Sequence, residues 1–427
     1  MTIRGLFIFA LMGSPLLVSA IPNTFFGNGN VVPIIPAMPR FNAEMTEEFL
    51  TTEKWVDWEV DTFSGPWVAD PSLGDERIFR MAASPDVFGE VPMAVYAYGE
   101  GSELRELVIH FLDAGRYFGY QYGGEADREA REEGRQRRQE FSKHYKHLEK
   151  TISERLEDGC GRGVPGALGS SPHLRIGFTD YEWEGFVLRF VAREDFSVSL
   201  HIMKKSGVPR SLVDPAILEM RDRDRAELFE SRVTETSIGD LQITGLPMFT
   251  QGDTPFCGIH TLAMAGYYYG LRISPEALAA GAEFKNTGSA KGSDLIGLYR
   301  STATEVGLRV SVAPDFKMDR AARALSDGRP MIVWRRVSEE REKAHFSNQL
   351  VWKKDHQFVL PAPSSEELES YPDKSKRGSP SHASIVTGFN EERGEVIYTE
   401  PWGKETRDRR MRVEEMEATA YAVFSFK

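Results

Sequence analysis

Cysteine is almost missing: the 427-residue chain has two, Cys160 and Cys257. That excludes a disulfide framework and allows one bridge at most. An excess of positive charge is also missing. Lys and Arg number 52 against 64 Asp and Glu, the net charge is −12, and no sustained basic stripe is present. A nucleic-acid-binding role is therefore not expected. Beyond the first 20 residues no apolar run approaches membrane-spanning length. No phosphate loop or metal-ligand spacing stands out, so no cofactor and no metal are expected.

The remaining composition, 41% hydrophobic and 27% charged, is that of a soluble globular chain. At 427 residues it exceeds one ordinary core, and two domains are expected. The N-terminus carries the clearest address. Arg4 precedes the apolar stretch Gly5 to Val18, and Val18-Ser19-Ala20 offers small residues at a cleavage point. Residues 1–20 thus read as a secretory signal peptide cut after Ala20. An anchoring helix fits less well, because the run is short and broken by Gly13-Ser14-Pro15. No cysteine follows the cut, so no lipid-anchored N-terminus is expected. The mature chain is expected to be exported, secreted or periplasmic, without a stable membrane anchor.

Residues 21–45 are rich in Pro, Asn and Gly and read as an extended leader. Residues 46–205 read as an N-terminal α+β domain. Pro92 to Tyr98 and Leu104 to Leu112 predict two strands around a Gly-containing turn. Glu125 to Glu157 predicts a long helix whose Phe141, Tyr145, Leu148, Ile152 and Leu156 share one face. His144 and His147 on it read as surface histidines, since no third ligand lies near in sequence. The Gly-rich stretch 159–170 reads as a loop leading to strands at 174–178, 186–192 and 196–203. This domain carries no recognisable chemistry, and covering a cleft as a pro-region is one use for it. Residues 206–237 read as a linker with a short charged helix.

The rest, 238–427, reads as helices followed by an antiparallel sheet, an α+β order. Helices are expected after Pro255, at Ser274-Pro275, from Gly292 and over 316–325. Strands are expected at 331–337, 382–389, 395–399 and 420–426. Residues 338–380 are polar and rich in Pro and Ser, and read as a long insertion or flexible loop.

The chemistry gathers around Gln251-Gly252-Asp253-Thr254-Pro255-Phe256-Cys257-Gly258. Pro255 sets a turn, so a helix is expected to start beside Cys257. A thiol there meets unpaired N–H groups and the positive end of the helix dipole, and both favour the thiolate. Gln251 is placed to offer a carboxamide donor to an oxyanion. His382 opens one apolar strand and Glu400 ends the next, so the two side chains can meet at one end of the sheet. A thiolate, an imidazole, a carboxylate and an oxyanion donor are what a cysteine hydrolase needs. Competing readings stand beside these. Cys257 pairs with Cys160 or is an inert buried thiol; His382 and Glu400 are ordinary polar residues. His260 is a rival base lacking an evident orienting partner. Tyr267, Tyr268, Tyr269 and Trp334 read as core or rim, and His345 and His356 lie in the insertion.

Gln-Gly-x-x-x-x-Cys, a strand-opening His, and a strand followed by Glu400-Pro401-Trp402-Gly403 resemble the papain-like cysteine peptidases. The pattern is similar to the bacterial bacteriocin-processing (double-glycine leader) branch and covers roughly 240–427. The resemblance implies Cys257 as nucleophile, His382 as base, Glu400 as orienting residue and Gln251 as oxyanion donor. It also implies a papain-like domain with helices packed on an antiparallel sheet, and a peptide or protein substrate. Glu400 departs from the pattern, because that branch has Asp, and plant and lysosomal relatives have Asn. A non-catalytic binding protein of this fold and a cell-wall amidase or transamidase remain as alternatives.

Overall fold

The computed structural model describes residues 67–69, 77–81, 87–100, 103–118, 128–183, 185–251, 256–282, 292–376 and 380–427. The expected signal peptide, the expected leader and the expected turn at Pro255 lie outside these residues. The fold is α+β: helices pack on antiparallel sheets.

The first sheet runs β1 (Trp67–Ala69), β2 (Arg77–Met81), β3 (Ala94–Glu100), β4 (Glu103–Asp113), β5 (Val164–Leu168), β6 (Ile176–Trp183), β7 (Phe186–Arg193) and β8 (Ser197–Lys204). Their spatial order is β1-β2-β3-β4-β8-β7-β6-β5. The short helix α1 (Ala114–Phe118) follows β4, and α2 (Arg128–Cys160) packs against β4, β6 and β8. Phe141, Tyr145, Leu148, Ile152 and Leu156 are all buried, so the predicted face of α2 is the packed one. The Gly-rich stretch expected as a loop instead contains the edge strand β5. Its glycines permit close approach: a Cβ on Gly166 would lie 2.5 Å from the Phe178 ring. Cross-strand pairing with β6 decides the conformation there, and low strand propensity hid it from a local reading.

The stretch 206–237, expected as a linker, is packed rather than free. It forms α3 (Pro215–Leu218), α4 (Asp222–Glu230) and the strand β9 (Val233–Glu235). Val213 bridges to Leu271, and Phe229 stacks on Tyr268 with ring centroids 5.5 Å apart.

The second sheet consists of β9, β10 (Leu241–Ile243), β11 (Val310–Ala313), β12 (Met331–Arg336), β13 (Ser381–Asn390), β14 (Glu395–Thr399), β15 (Arg409–Arg412) and β16 (Ala420–Phe426). The order is β11-β16-β12-β13-β10-β9, with β14 also on β13 and β15 on β14. Between β10 and β12 in sequence come α5 (Cys257–Tyr268), α6 (Pro275–Gly281), α7 (Gly292–Glu305) and α8 (Met318–Ser326), with β11 between α7 and α8. Ser274 caps α6 by accepting from the Ala277 N–H, with Pro275 in the first turn. Helix α5 is apolar nearly all round, and Ile259, Leu262, Ala263, Met264 and Ala265 are at most 1% exposed. A helix of that composition belongs inside a core.

In the stretch expected as a long insertion or flexible loop, residues 338–376 are structured. They carry α9 (Glu339–Lys354) and α10 (Ser365–Ser370). Arg341, Glu342, His345 and Gln349 form the buried stripe of α9. The stripe is polar, so a search for apolar periodicity passes over it. The same reason hid β15: Arg409 and Arg410 are buried because Glu342, Asp240 and Glu395 neutralise them. The helix α11 (Val413–Thr419) after it also went unread.

Both sheets belong to one compact unit. Contacts join the first to α5 and α6: Arg105 donates to the Tyr267 hydroxyl at 3.1 Å, and Arg193 to the Ala277 carbonyl at 3.1 Å. Arg116 pairs with Glu276 at 3.5 Å. A Cβ on Gly115 would lie 2.3 Å from the Phe256 ring, one residue before Cys257.

Glu342→Ala takes the carboxylate from buried Arg409 and one of the two carboxylates from buried Arg335. Its unfolding midpoint in urea should fall by the equivalent of about 3–5 kcal/mol. Leu350→Ser, on the exposed side of the same helix at 45% exposure, should change stability by less than about 0.5 kcal/mol.

Candidate active site

Cys257 is the first residue of α5, with Phe256 in the N-cap position. The first-turn N–H groups of a helix have no intrahelical partners and carry partial positive charge. The next residue must be small. A Cβ on Gly258 would lie 2.3 Å from the Trp334 ring, and the Gly258 carbonyl accepts from the Tyr299 hydroxyl at 2.8 Å. The start of α5 is thereby pinned against β12 and α7. Both cysteines are free thiols and each is partly exposed, so no Cys160–Cys257 bridge forms.

His382 is the second residue of β13 and is 6% exposed. Strand pairing sets Arg335 of β12 directly opposite it, and side chains of directly opposed residues emerge on one face. Ser384, two residues on, shares that face. Glu400 follows the last residue of β14, which pairs with β13 through Thr399 and Ile385. Its backbone is fixed by Thr406, whose hydroxyl donates to the Glu400 carbonyl at 2.9 Å.

These placements bring three of the four expected residues together. The Glu400 Oε2 atom lies 2.7 Å from His382 Nε2, with the carboxylate fully buried. The same ring also interacts with the Cys257 thiol. The Trp402 ring covers the imidazole, with centroids 4.3 Å apart and 34° between planes, and such cover keeps water from the ion pair. Gln251 comes near through its backbone, whose N–H donates to the Pro401 carbonyl at 2.8 Å. Residues 252–255, between it and Phe256, lie outside the described residues.

The charges of the group follow from its surroundings. Burial alone would raise the Cys257 thiol, but His382 and the N–H groups of Ala383 and Gly258 outweigh it and hold it below its ordinary value. Burial alone would lower His382, yet Glu400 and then Cys257 push it up to about 9. Burial likewise raises Glu400, and His382 and Arg335 pull it down to about 2. At neutral pH Glu400 is therefore a carboxylate and His382 an imidazolium, and Cys257 is biased toward the thiolate. The folded His382 value lies above 6.5, so its stabilising effect is complete below that pH and lost as pH rises through about 9. Glu400 acts in the opposite sense, stabilising above 4.5 and losing that as pH falls toward about 2.

Other candidates fall elsewhere. His260 is buried, its Nδ1 lies 2.9 Å from the Phe256 carbonyl of its own helix, and burial pushes it down to about 4. His345 is enclosed between Glu415, at 2.9 Å, and the Tyr398 hydroxyl, at 3.1 Å. His356 packs on Trp352 at an exposed position, and His147 pairs with Glu90 at 2.7 Å. Tyr268 and Tyr269 are core residues. Among the described residues no group of three or more His, Cys, Asp or Glu is arranged to hold a metal ion.

The sequence reading missed the residues behind Glu400. Its Oε1 atom accepts from Arg335 at 2.5 Å and from the Ser384 hydroxyl at 2.9 Å. Arg335 also reaches Glu342 of α9 at 2.8 Å. The available signal was Arg335 itself, a cation inside the apolar run 331–337, which burial obliges to find an anion.

One comparison with known proteins bears on this site. Residues 243–426 match the model of the Peptidase_C39 like family, so this stretch is similar to papain-like cysteine peptidases. Among solved structures, a candidate C39-like peptidase from Bacillus anthracis is similar at 14% identity over 44% of this chain and 97% of its own, with a TM-score of 0.30. No match is found among curated proteins.

A thiolate–imidazolium pair has a distinct signature in alkylation. Iodoacetate, an anion, should label Cys257 well below the ordinary thiol range. Its rate should fall again near pH 9, where His382 loses its proton. Neutral iodoacetamide should show no such fall, and His382→Ala should return Cys257 to ordinary thiol behaviour.

Proposed function

We propose that the chain is an exported thiol hydrolase that cleaves peptide bonds through Cys257, His382 and Glu400. The observation carrying this reading is the alignment of the three: thiol against imidazole, with the carboxylate 2.7 Å behind the ring. The family match over 243–426 supports the same class of chemistry.

In this reading the Cys257 thiolate attacks the carbonyl carbon of a substrate amide, and the C=O pair moves onto oxygen. The Gln251 carboxamide and a first-turn N–H of α5 stabilise that oxyanion. Collapse breaks the C–N bond as the His382 imidazolium donates its proton to the leaving amine. The neutral imidazole then takes a proton from water, and the resulting attack releases the acyl group and regenerates the thiol. Glu400 holds the ring in orientation and favours its charged form. Export rests on the N-terminal sequence: a basic residue, an apolar run and small residues at 18–20. The sheet of β1 to β8 stays with the enzyme as a support for α5 and α6, and full activity of the intact chain would rule out its being a covering pro-region.

Quenched fluorescent peptides are the direct test. Cys257→Ala and His382→Ala should each reduce kcat/KM by about 10³-fold or more, and Glu400→Gln by about 10²-fold or more. Turnover of cell-wall fragments but not peptides would move the assignment to an amidase. Turnover of neither, with an unreactive Cys257, would favour a binding protein.

A further inference from the structure

The third member of this site is a glutamate, one methylene longer than aspartate. An extra rotatable bond lets a carboxylate swing away from the ring it must hold. The structure contains a device that removes this freedom. Glu400 Oε1 takes two donors, Arg335 Nη2 at 2.5 Å and Ser384 Oγ at 2.9 Å, so that Oε2 is left for His382. Arg335 Nε donates to the same Ser384 oxygen at 3.1 Å, closing a three-membered ring of contacts on one carboxylate oxygen. Arg335 is 1% exposed and is held from behind by Glu342 of α9 at 2.8 Å. Glu342 is in turn bound by Arg409 of β15 at 2.9 Å. The Arg335 guanidinium also lies 5.4 Å from the Tyr398 ring. A buried arginine between two buried carboxylates has a single low-energy position, because any other strands a charge in low dielectric.

We propose that Arg335, locked by Glu342, is the positioning residue of this site: it fixes Glu400 Oε1 so that Oε2 stays on His382. This rests on the Cys257–His382–Glu400 reading and adds to it a reason why glutamate serves at position 400. It also gives α9, within the stretch 338–380, a function: it delivers the anion that keeps Arg335 in place. Arg335 touches neither the thiol nor, in the proposed reaction, the substrate, so its effect passes through Glu400.

The test reads Cys257 labelling by iodoacetate against pH in the full chain, with folding followed by circular dichroism. In Arg335→Gln the released carboxylate leaves the ring. The upper limb of the profile should then move to lower pH by about one unit, which corresponds to a tenfold weaker Glu400–His382 coupling. Arg335→Lys should recover part of the shift. Ser384→Ala, a smaller change, should move the limb in the same direction and supplies the test if Arg335→Gln does not fold. In an Glu400→Gln background, Arg335→Gln should add nothing, the mark of a residue acting through another. An unchanged or upward-moving limb in both Arg335→Gln and Ser384→Ala, or full additivity with Glu400→Gln, would overturn the proposal. Failure of the hydrolase reading itself looks different: the unmodified protein would lack the acidic labelling limb altogether.

Discussion

The candidate site depends on one buried carboxylate and the cations that share it. Glu400 is inaccessible to solvent and lies between His382 and Arg335. An isolated carboxylate in such a place would take up a proton. Two cations beside it keep it charged, and its charge in turn keeps His382 protonated. The protonated ring then favours the thiolate at Cys257 over the opposing effect of burial. Each ionisation is thus conditional on its neighbour, and the set is only as stable as the packing that keeps water out.

That packing comes from elements far apart in sequence. Strand β13 supplies His382 and Ser384, β12 supplies Arg335, the end of β14 supplies Glu400 and α9 supplies Glu342. Pairing between β12 and β13 fixes which residues meet, because a slip of one residue would turn Arg335 to the other face. Cys257 arrives from the other side, at the start of α5. Helix α1, which follows β4 of the first sheet, reaches that point as well through Gly115 against Phe256, and Arg116 of α1 pairs with Glu276 of α6. A change in either layer is therefore felt at the thiol.

Much of the fold was legible. The long helix α2, strands β3, β4, β7 and β8, the capped start of α6 and strands β12, β13, β14 and β16 follow from apolar spacing and turn residues. Besides β5, what escaped includes elements whose buried faces are polar. Helix α9 hides Arg341, Glu342, His345 and Gln349, and β15 hides Arg409 and Arg410. Patterns of hydrophobicity report burial only when burial is apolar. A salt-bridged stripe has the look of a solvated surface until its partners are known.

The sequence by itself determined the chemistry on offer: a thiol at a helix start, a histidine opening a strand, an acid closing the next, and a glutamine upstream. Local rules suffice for these, since capping, turn residues and strand ends are short-range properties. Only the tertiary structure decided which histidine faces the thiol, which oxygen of Glu400 meets the ring, and what holds the other. Those choices depend on strand register and on the balance of buried charge, and both are set by residues tens or hundreds of positions apart.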